Sequence, residues 1–144
     1  YYNIETKSTP AGDYTHHPDP TTFADLLYDV LTAEGITQRS IVQSFDVRSL
    51  RRFHTAYPHV ALSLLAEEGE NLQHRLDELG FIPQIYSPEF RTVSADTVGQ
   101  CHRLGMSLIP WTVNEVSDMA AMVRLGVDGL ITDYPDRFPS LARS

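Results

Sequence analysis

Short apolar runs alternate with amphipathic helical segments along the whole chain, and most of the helical segments end at a glycine. This alternation is typical of βα units, in which each strand is followed by a helix that packs on the sheet. Strands that alternate strictly with helices pair in parallel, because each helix returns the chain to the starting end of the sheet. The sequence therefore predicts an α/β protein with a parallel sheet.

Five helices are predicted from helical spacing and capping residues. The first follows Pro18 and Pro20 and ends at Gly35, which suits the position after a helix terminus. We expect its apolar stripe to pack on the sheet, and that stripe consists of Phe23, Leu26, Leu27, Val30 and Leu31. The later helices begin at side chains that can accept hydrogen bonds from free amides, and the predicted N-caps are Asp46, Asn71, Ser94 and Asn114.

Six strands are predicted between these helices, at residues 2–6, 40–45, 60–65, 82–86, 107–113 and 128–132. A parallel sheet of this kind is either doubly wound or closed into a barrel. The glycine-rich phosphate loops of doubly wound nucleotide folds, G-x-G-x-x-G and G-x-x-x-x-G-K-[ST], do not occur in the sequence. We therefore predict a (β/α)8 TIM barrel, with about six of its eight βα units within these 144 residues.

The formal net charge of -8 and the pI near 5.1 argue against nucleic acid or an anionic membrane as a partner, because both require a basic surface. A small molecule is therefore the expected partner. If that molecule is an anion, a bound divalent cation would offset the acidic field of the protein. The single cysteine, Cys101, indicates no redox compartment. No apolar run is long enough to span a membrane.

Glu5 and Lys7 lie two residues apart at the end of the first predicted strand, so their side chains share one face of the sheet. The carboxyl ends of parallel strands are where active sites are built. A carboxylate there can ligate a hard cation, and an ammonium can bind phosphate. The alternative, which spacing alone leaves open, is a structural ion pair at the mouth of the barrel.

Trp111, the only tryptophan, lies near the end of the fifth predicted strand, where it would either wall a pocket or fill the core. Asp133 is expected to brace a loop at the same mouth. Cys101 lies on an apolar helix stripe and Ser44 has no nucleophile-elbow context, so neither is expected to be a nucleophile. Solvent-facing or packing roles are expected for the six histidines, since none has a zinc-ligand spacing.

Four segments, in order, resemble the landmark segments of the glycerophosphodiester phosphodiesterase family, a family of (β/α)8-barrel enzymes. They are Asn-Ile-Glu-Thr-Lys at 3–7, Gln-Ser-Phe-Asp at 43–46, Trp-Thr-Val-Asn at 111–114, and Gly-Val-Asp-Gly-Leu-Ile-Thr-Asp-Tyr-Pro at 126–135. The resemblance implies that Glu5 is a ligand of a catalytic Ca²⁺ or Mg²⁺ ion. It further implies that Lys7 binds and stabilises the substrate phosphate and that Trp111 lines the substrate pocket.

The resemblance also implies hydrolysis of glycerophosphodiesters to glycerol 3-phosphate and an alcohol. The family's His-Arg pair, Glu-x-Asp metal pair and second catalytic histidine have no counterparts in this sequence, so we expect them, with two βα units, to precede it. The alternatives are a lysophospholipid or sphingolipid phosphodiesterase, or a non-catalytic barrel that binds a phosphodiester or a protein. Without the preceding units the open arc of strands is expected to be poorly stable and inactive.

Overall fold

A single parallel sheet of five strands organises residues 1–138, the part of the chain that the computed structural model describes. The strands are β1 (Tyr2–Glu5), β2 (Ser40–Ser44), β3 (Ala61–Ala66), β4 (Ile85–Pro88) and β5 (Ser107–Leu108). They lie in the order β1-β2-β3-β4-β5, and every neighbouring pair is parallel. A doubly wound sheet reverses its strand order at one point, whereas a barrel does not. The observed order is therefore that of an arc of a barrel.

Five α-helices connect or follow these strands within residues 1–138: α1 (Pro20–Ala33), α2 (Val47–Ala56), α3 (Leu72–Leu79), α4 (Ala95–Arg103) and α5 (Val116–Leu125). Three of the predicted N-caps are confirmed, because the side chains of Asp46, Asn71 and Ser94 accept hydrogen bonds from backbone amides in the first turn. The fourth is wrong, since Glu115 holds the N-cap position of α5. None of the helices in this range has the length and apolarity that a bilayer crossing requires.

The two faces of the sheet differ in chemistry. One face is apolar and joins the helices in a single core cluster, to which the sheet contributes residues such as Val42, Leu64 and Leu108. The opposite face, which would line the inside of a barrel, carries hydrogen-bonded polar side chains: Asn3 donates to Gln43 (2.9 Å), and Ser63 pairs with Ser87 (2.9 Å). Because side chains alternate along a strand, each strand contributes to both the apolar core and the polar interior.

The predicted apolar stripe of α1 is only partly correct. Ala24 and Leu31 are fully buried, and Leu27 packs against the core. In contrast, Leu26 and Val30 are 52% and 56% exposed. Positions 24, 27 and 31 follow helical periodicity on one face, and positions 26 and 30 lie on another. Apolar character alone therefore did not identify which side of the helix meets the sheet.

The sixth predicted strand, residues 128–132, is wrong: this segment runs beside β5 but forms no regular ladder with it. Its amides donate to β5 and to the residues after it, from Asp128 to the Leu108 carbonyl (2.9 Å) and from Ile131 to the Pro110 carbonyl (2.9 Å), and its Ile131 carbonyl accepts from the Val113 amide (2.9 Å). Pro110 has no N–H to return a hydrogen bond, and the Leu108 amide donates to the Asp128 carboxylate (2.7 Å). A proline and a side-chain acceptor therefore interrupt the evenly spaced bonds that define a parallel pair.

Prolines also move the predicted bounds of the neighbouring strands. β4 begins at Ile85 instead of residue 82, because Ile82 is exposed and precedes Pro83, which cannot donate to a ladder. β5 is reduced from the predicted seven residues to Ser107–Leu108, although Trp111 still forms an isolated parallel bridge with Glu89.

We expect Asp128 to contribute stability that is lost in acid. Burial alone would raise its pKa, but hydrogen bonds from the Leu108 amide and His102 hold the pKa below its ordinary value. A depressed folded-state pKa stabilises the protein above the unfolded-state pKa of about 3.9, and that contribution disappears as the pH falls through the folded-state value.

Asp128→Asn should therefore flatten the acid limb of the stability-against-pH profile of the full-length protein, measured by urea unfolding. Asp128→Ala should in addition cost about 1 kcal/mol or more at pH 7, because it leaves the Leu108 amide without its acceptor. Asp29→Asn, at an exposed position on α1, is the control and should keep the wild-type profile. An unchanged acid limb in Asp128→Asn would contradict the assignment.

Candidate active site at the carboxyl ends of the strands

Glu5 and Lys7 form an ion pair where β1 ends. The Lys7 Nζ atom donates to Glu5 Oε1 at 2.9 Å, the Lys7 side chain is 81% exposed and that of Glu5 is 23% exposed. An ammonium group has three donors, so this contact leaves two N–H bonds of Lys7 directed to solvent. The structural ion pair considered from the sequence is thus present, and it leaves Lys7 able to bind an anion.

Glu5, Lys7 and Trp111, the three residues singled out from the sequence, line one cavity of about 280 Å³. They come from opposite ends of the described arc, because β1 is its first strand and Trp111 follows β5, the last. The carboxyl ends of parallel strands meet at the same edge of the sheet, and this brings the three side chains together. The other residues that line the cavity are Gln43, Phe45, Leu65, Thr112 and Ile131.

Trp111 forms a fixed wall of this cavity. Its Nε1 atom donates to the Ser87 carbonyl at 2.8 Å, and its ring meets that of Phe45 edge-on, with centroids 5.5 Å apart and an interplanar angle of 89°. Such an aromatic pair has a preferred geometry and presents carbon surface to a ligand. The hydrogen bond and the ring contact hold the indole at the mouth of the arc.

The sequence did not single out Gln43 and Phe45 as site residues individually, although both lie in a segment that carries the family resemblance. Gln43 pairs in register with Glu5, and Phe45 lies two residues further along the same chain. Only their position in the sequence could have identified them. They lie two residues apart, and so on one face, at the end of the predicted strand that follows the strand of Glu5.

A second cavity, of about 330 Å³, adjoins Glu5 and Lys7 on the side of the loop that connects β1 to α1. Gly12, His16 and His17 of this loop line it, together with Glu67. His17 has a packing role, as expected: its Nε2 atom accepts from the Thr9 amide (3.0 Å), so Nδ1 donates to the Pro18 carbonyl (2.7 Å). A side chain at Gly12 would collide with this ring, since an added Cβ would lie 2.5 Å from His17 Nε2.

Asn114 joins two loops at the mouth instead of capping α5. Its Oδ1 atom accepts from the Asp133 amide (3.0 Å) and from Thr132 Oγ1 (3.1 Å), and its Nδ2 atom donates to Asp133 Oδ2 (2.9 Å). These contacts confirm that Asp133 braces a loop.

Neither Ser44 nor Cys101 is available as a nucleophile, in agreement with the sequence. Ser44 is fully buried, and its hydroxyl donates to the Thr6 carbonyl at 2.9 Å. Cys101 is also fully buried, and burial, with a smaller contribution from Asp128, raises the pKa of its thiol to about 11. A thiol that remains protonated at neutral pH is a poor nucleophile.

The donor chemistry of the described residues can be compared with what a hard cation requires. Within residues 1–138 no group of three or more His, Cys, Asp or Glu side chains is arranged to hold a metal ion. Ca²⁺ takes six to eight oxygen ligands and Mg²⁺ prefers six, usually one or two carboxylates with waters and substrate oxygens. The Glu5 carboxylate, at the carboxyl end of β1, therefore fits the role of one such ligand.

A singly wound parallel arc with a carboxylate, a lysine and an aromatic wall at its carboxyl edge places the protein among the (β/α)-barrel proteins, which build their sites at this edge. The model of the glycerophosphoryl diester phosphodiesterase family matches residues 3–137, and the chain belongs to this family.

Named relatives and solved structures agree with this assignment. The chain is 36% identical over 106 residues to a glycerophosphodiester phosphodiesterase of Bacillus altitudinis. The match covers 71% of this chain and 42% of that relative. It is 30% identical over 140 residues to a glycerophosphodiester phosphodiesterase of Bacillus subtilis strain 168, and the match covers 95% of this chain and 47% of that relative. A crystal structure from Silicibacter pomeroyi DSS-3, provisionally named a glycerophosphoryl diester phosphodiesterase, matches with a TM-score of 0.84 and 28% identity over 98% of this chain and 49% of that one.

The chain thus spans about half the length of the relatives it matches. The solved structures that resemble it are barrels of this family, and the five-stranded sheet corresponds to part of such a (β/α)8 barrel.

Proposed function

We propose that the protein hydrolyses glycerophosphodiesters to glycerol 3-phosphate and an alcohol, with Ca²⁺ or Mg²⁺ as cofactor. Family membership and the names of the relatives support this reaction class. The observation that carries the proposal is the convergence of Glu5, Lys7 and Trp111 on one cavity, because it combines a cation ligand, a phosphate-binding charge and an apolar wall.

Lys7 binds the phosphodiester anion in this proposal. It is the only lysine in the sequence, and the protein as a whole carries a net charge of -8, so the surrounding field repels an anionic substrate. The exposed ammonium supplies a local positive charge, and its two remaining N–H bonds can donate to non-bridging oxygens of the phosphate. Glu5 holds the ammonium at the cavity through the 2.9 Å contact.

Glu5 also supplies one oxygen ligand to the divalent cation. When bound, the cation would polarise the phosphoryl oxygens and activate the attacking hydroxyl or water. The family resemblance implies that two histidines exchange protons with the substrate, and their counterparts are not among these 144 residues. Trp111 and Phe45 provide carbon surface against which the substrate can be oriented.

Replacement of Lys7 by Met is expected to lower kcat/KM for a glycerophosphodiester by about 10²-fold or more, because a preorganised charge at the developing phosphate charge is lost. The measurement is release of glycerol 3-phosphate from glycerophosphodiesters by the full-length protein, with Ca²⁺ or Mg²⁺ and with a chelator. Arg124→Met, at an exposed position on α5, is the control.

The same assay distinguishes the alternatives. Hydrolysis of acylated lysophospholipids in preference to glycerophosphodiesters would replace the proposed substrate class. Absence of hydrolysis with either metal and either substrate would exclude the catalytic proposal and leave a binding barrel.

A further inference from the structure

The residues on both sides of Lys7 are held by the turn between β2 and α2, one through its backbone and the other through its side chain. Ser44 Oγ donates to the carbonyl of Thr6 at 2.9 Å, and Ser8 Oγ donates to Asp46 Oδ2 at 2.9 Å. Thr6 and Ser8 are the immediate neighbours of Lys7, and both are buried. The exposed ammonium is therefore carried on a short segment that is held at each end by residues 44–46.

Arg48, in the first turn of α2, secures this turn and connects it to the loop that follows Lys7. Its guanidinium binds Asp46 through Nε to Oδ1 (3.0 Å) and Nη2 to Oδ2 (2.7 Å). It also binds Asp13 through Nη1 to Oδ2 (2.7 Å) and Nη2 to Oδ1 (3.1 Å). Paired contacts of this type fix orientation as well as distance.

The electrostatics of the pair agree with this geometry. Burial would raise the pKa of Asp46, but its hydrogen bonds with Arg48 and Ser8 hold the pKa below the ordinary value. Asp46 is thus held as a carboxylate that accepts from Ser8 and Arg48 together.

We propose that Arg48 is a positioning residue for Lys7, acting through Asp46 on Ser8 and through Asp13 on the loop after it. This inference rests on the proposed function, in which Lys7 binds the phosphate. A displacement of about 1 Å in a substrate-positioning group can cost about 10²-fold in rate. Arg48 with Asp46 and Asp13 is called the clamp around Lys7. Loss of this clamp should affect substrate binding and turnover even though Arg48 does not line the 280 Å³ cavity.

The same helix offers a matched control. Arg52, one turn further along α2, binds Asp25 of α1 with the same paired geometry, Nε to Oδ1 at 2.8 Å and Nη2 to Oδ2 at 2.9 Å. This pair ties two helices together and has no contact with the segment around Lys7. Arg52→Met removes one arginine–aspartate pair of α2, whereas Arg48→Met removes two, with Asp46 and Asp13, and only Arg48→Met loosens the segment around Lys7.

The test uses the full-length, metal-loaded protein and three readouts: thermal stability, KM and kcat for a glycerophosphodiester, and the ¹³C resonance of reductively dimethylated Lys7. We expect Arg48→Met to raise KM by about tenfold or more and to shift or broaden the Lys7 resonance. Arg52→Met should lower stability but leave KM and the resonance as in the wild type. Asp13→Asn, which keeps the Asp46 contact, should give a smaller effect in the same direction and replaces Arg48→Met if that variant does not fold.

A wild-type KM together with an unchanged Lys7 resonance in Arg48→Met, or in Asp13→Asn if it is used instead, would overturn the inference and leave Arg48 a purely structural role. If the wild type hydrolysed no phosphodiester, the proposed function would fail, and the resonance alone would still decide whether Arg48 positions Lys7.

Discussion

Glu5→Gln is expected to abolish most glycerophosphodiester turnover and to weaken divalent-cation binding by more than about 100-fold, which is the loss that even an outer-shell partner of a metal can cause. The substitution keeps the size of the side chain and removes its negative charge. Hard cations prefer carboxylate oxygens, and the neutral amide would hold Lys7 by an uncharged hydrogen bond in place of the 2.9 Å ion pair. The proposed cation ligand is therefore lost, and the contact that anchors the phosphate-binding charge is weakened.

Cation affinity is measured by titration calorimetry with Ca²⁺ and Mg²⁺, and turnover by release of glycerol 3-phosphate. Glu68→Gln removes an exposed carboxylate from the loop after β3 and serves as the charge-matched control. If Glu5→Gln retained wild-type cation affinity and activity, Glu5 would not be a metal ligand.

Phe53→Ala is expected to cost about 3–5 kcal/mol of unfolding free energy, the range observed when a large buried aromatic is truncated. Phe53 is fully buried in α2, belongs to the core cluster between sheet and helices, and meets Tyr57 edge-on with ring centroids 5.7 Å apart. A domain with a typical stability of about 5–15 kcal/mol would lose a large part of it.

Urea unfolding of the full-length protein, followed by circular dichroism, measures this loss. Phe53→Leu, which fills more of the same volume, should lose considerably less. A loss below about 1 kcal/mol for Phe53→Ala would show that α2 does not pack on the sheet as described.

Features that depend on a few neighbouring residues were predictable from the sequence. Asp46, Asn71 and Ser94 cap helices because each needs only an amide two or three residues ahead. Asn114 has the same chemistry, but its partner Asp133 lies 19 residues further along the chain. No local pattern reveals such a competitor.

Strand existence was easier to predict than strand bounds. Apolar runs located all five strands, whereas Pro83 and Pro110 decided where ladders begin or fail. The segment at 128–132 has the composition of a strand. Its ladder is interrupted by Pro110, which lacks an N–H and lies in the neighbouring segment.

The convergence of Glu5, Lys7 and Trp111 followed from the rule that parallel strands end at one edge, together with the family resemblance. The clamp around Lys7 did not follow, because Asp13 and Arg48 are 35 positions apart and meet through a loop without periodic pattern. Their contact depends on the folded path of that loop.

The consecutive order of the strands also determines the entropy of assembling the site. Pairing β1 with β2 closes a loop about twice as long as the one closed by β2 and β3, a difference of about 0.6 kcal/mol in loop-closure entropy. β1 is also hydrogen-bonded to only one neighbour among the described strands. The strand that delivers Glu5 and Lys7 is thus the one whose docking costs the most chain entropy, and a ligand that bridges these residues to Trp111 would offset part of that cost.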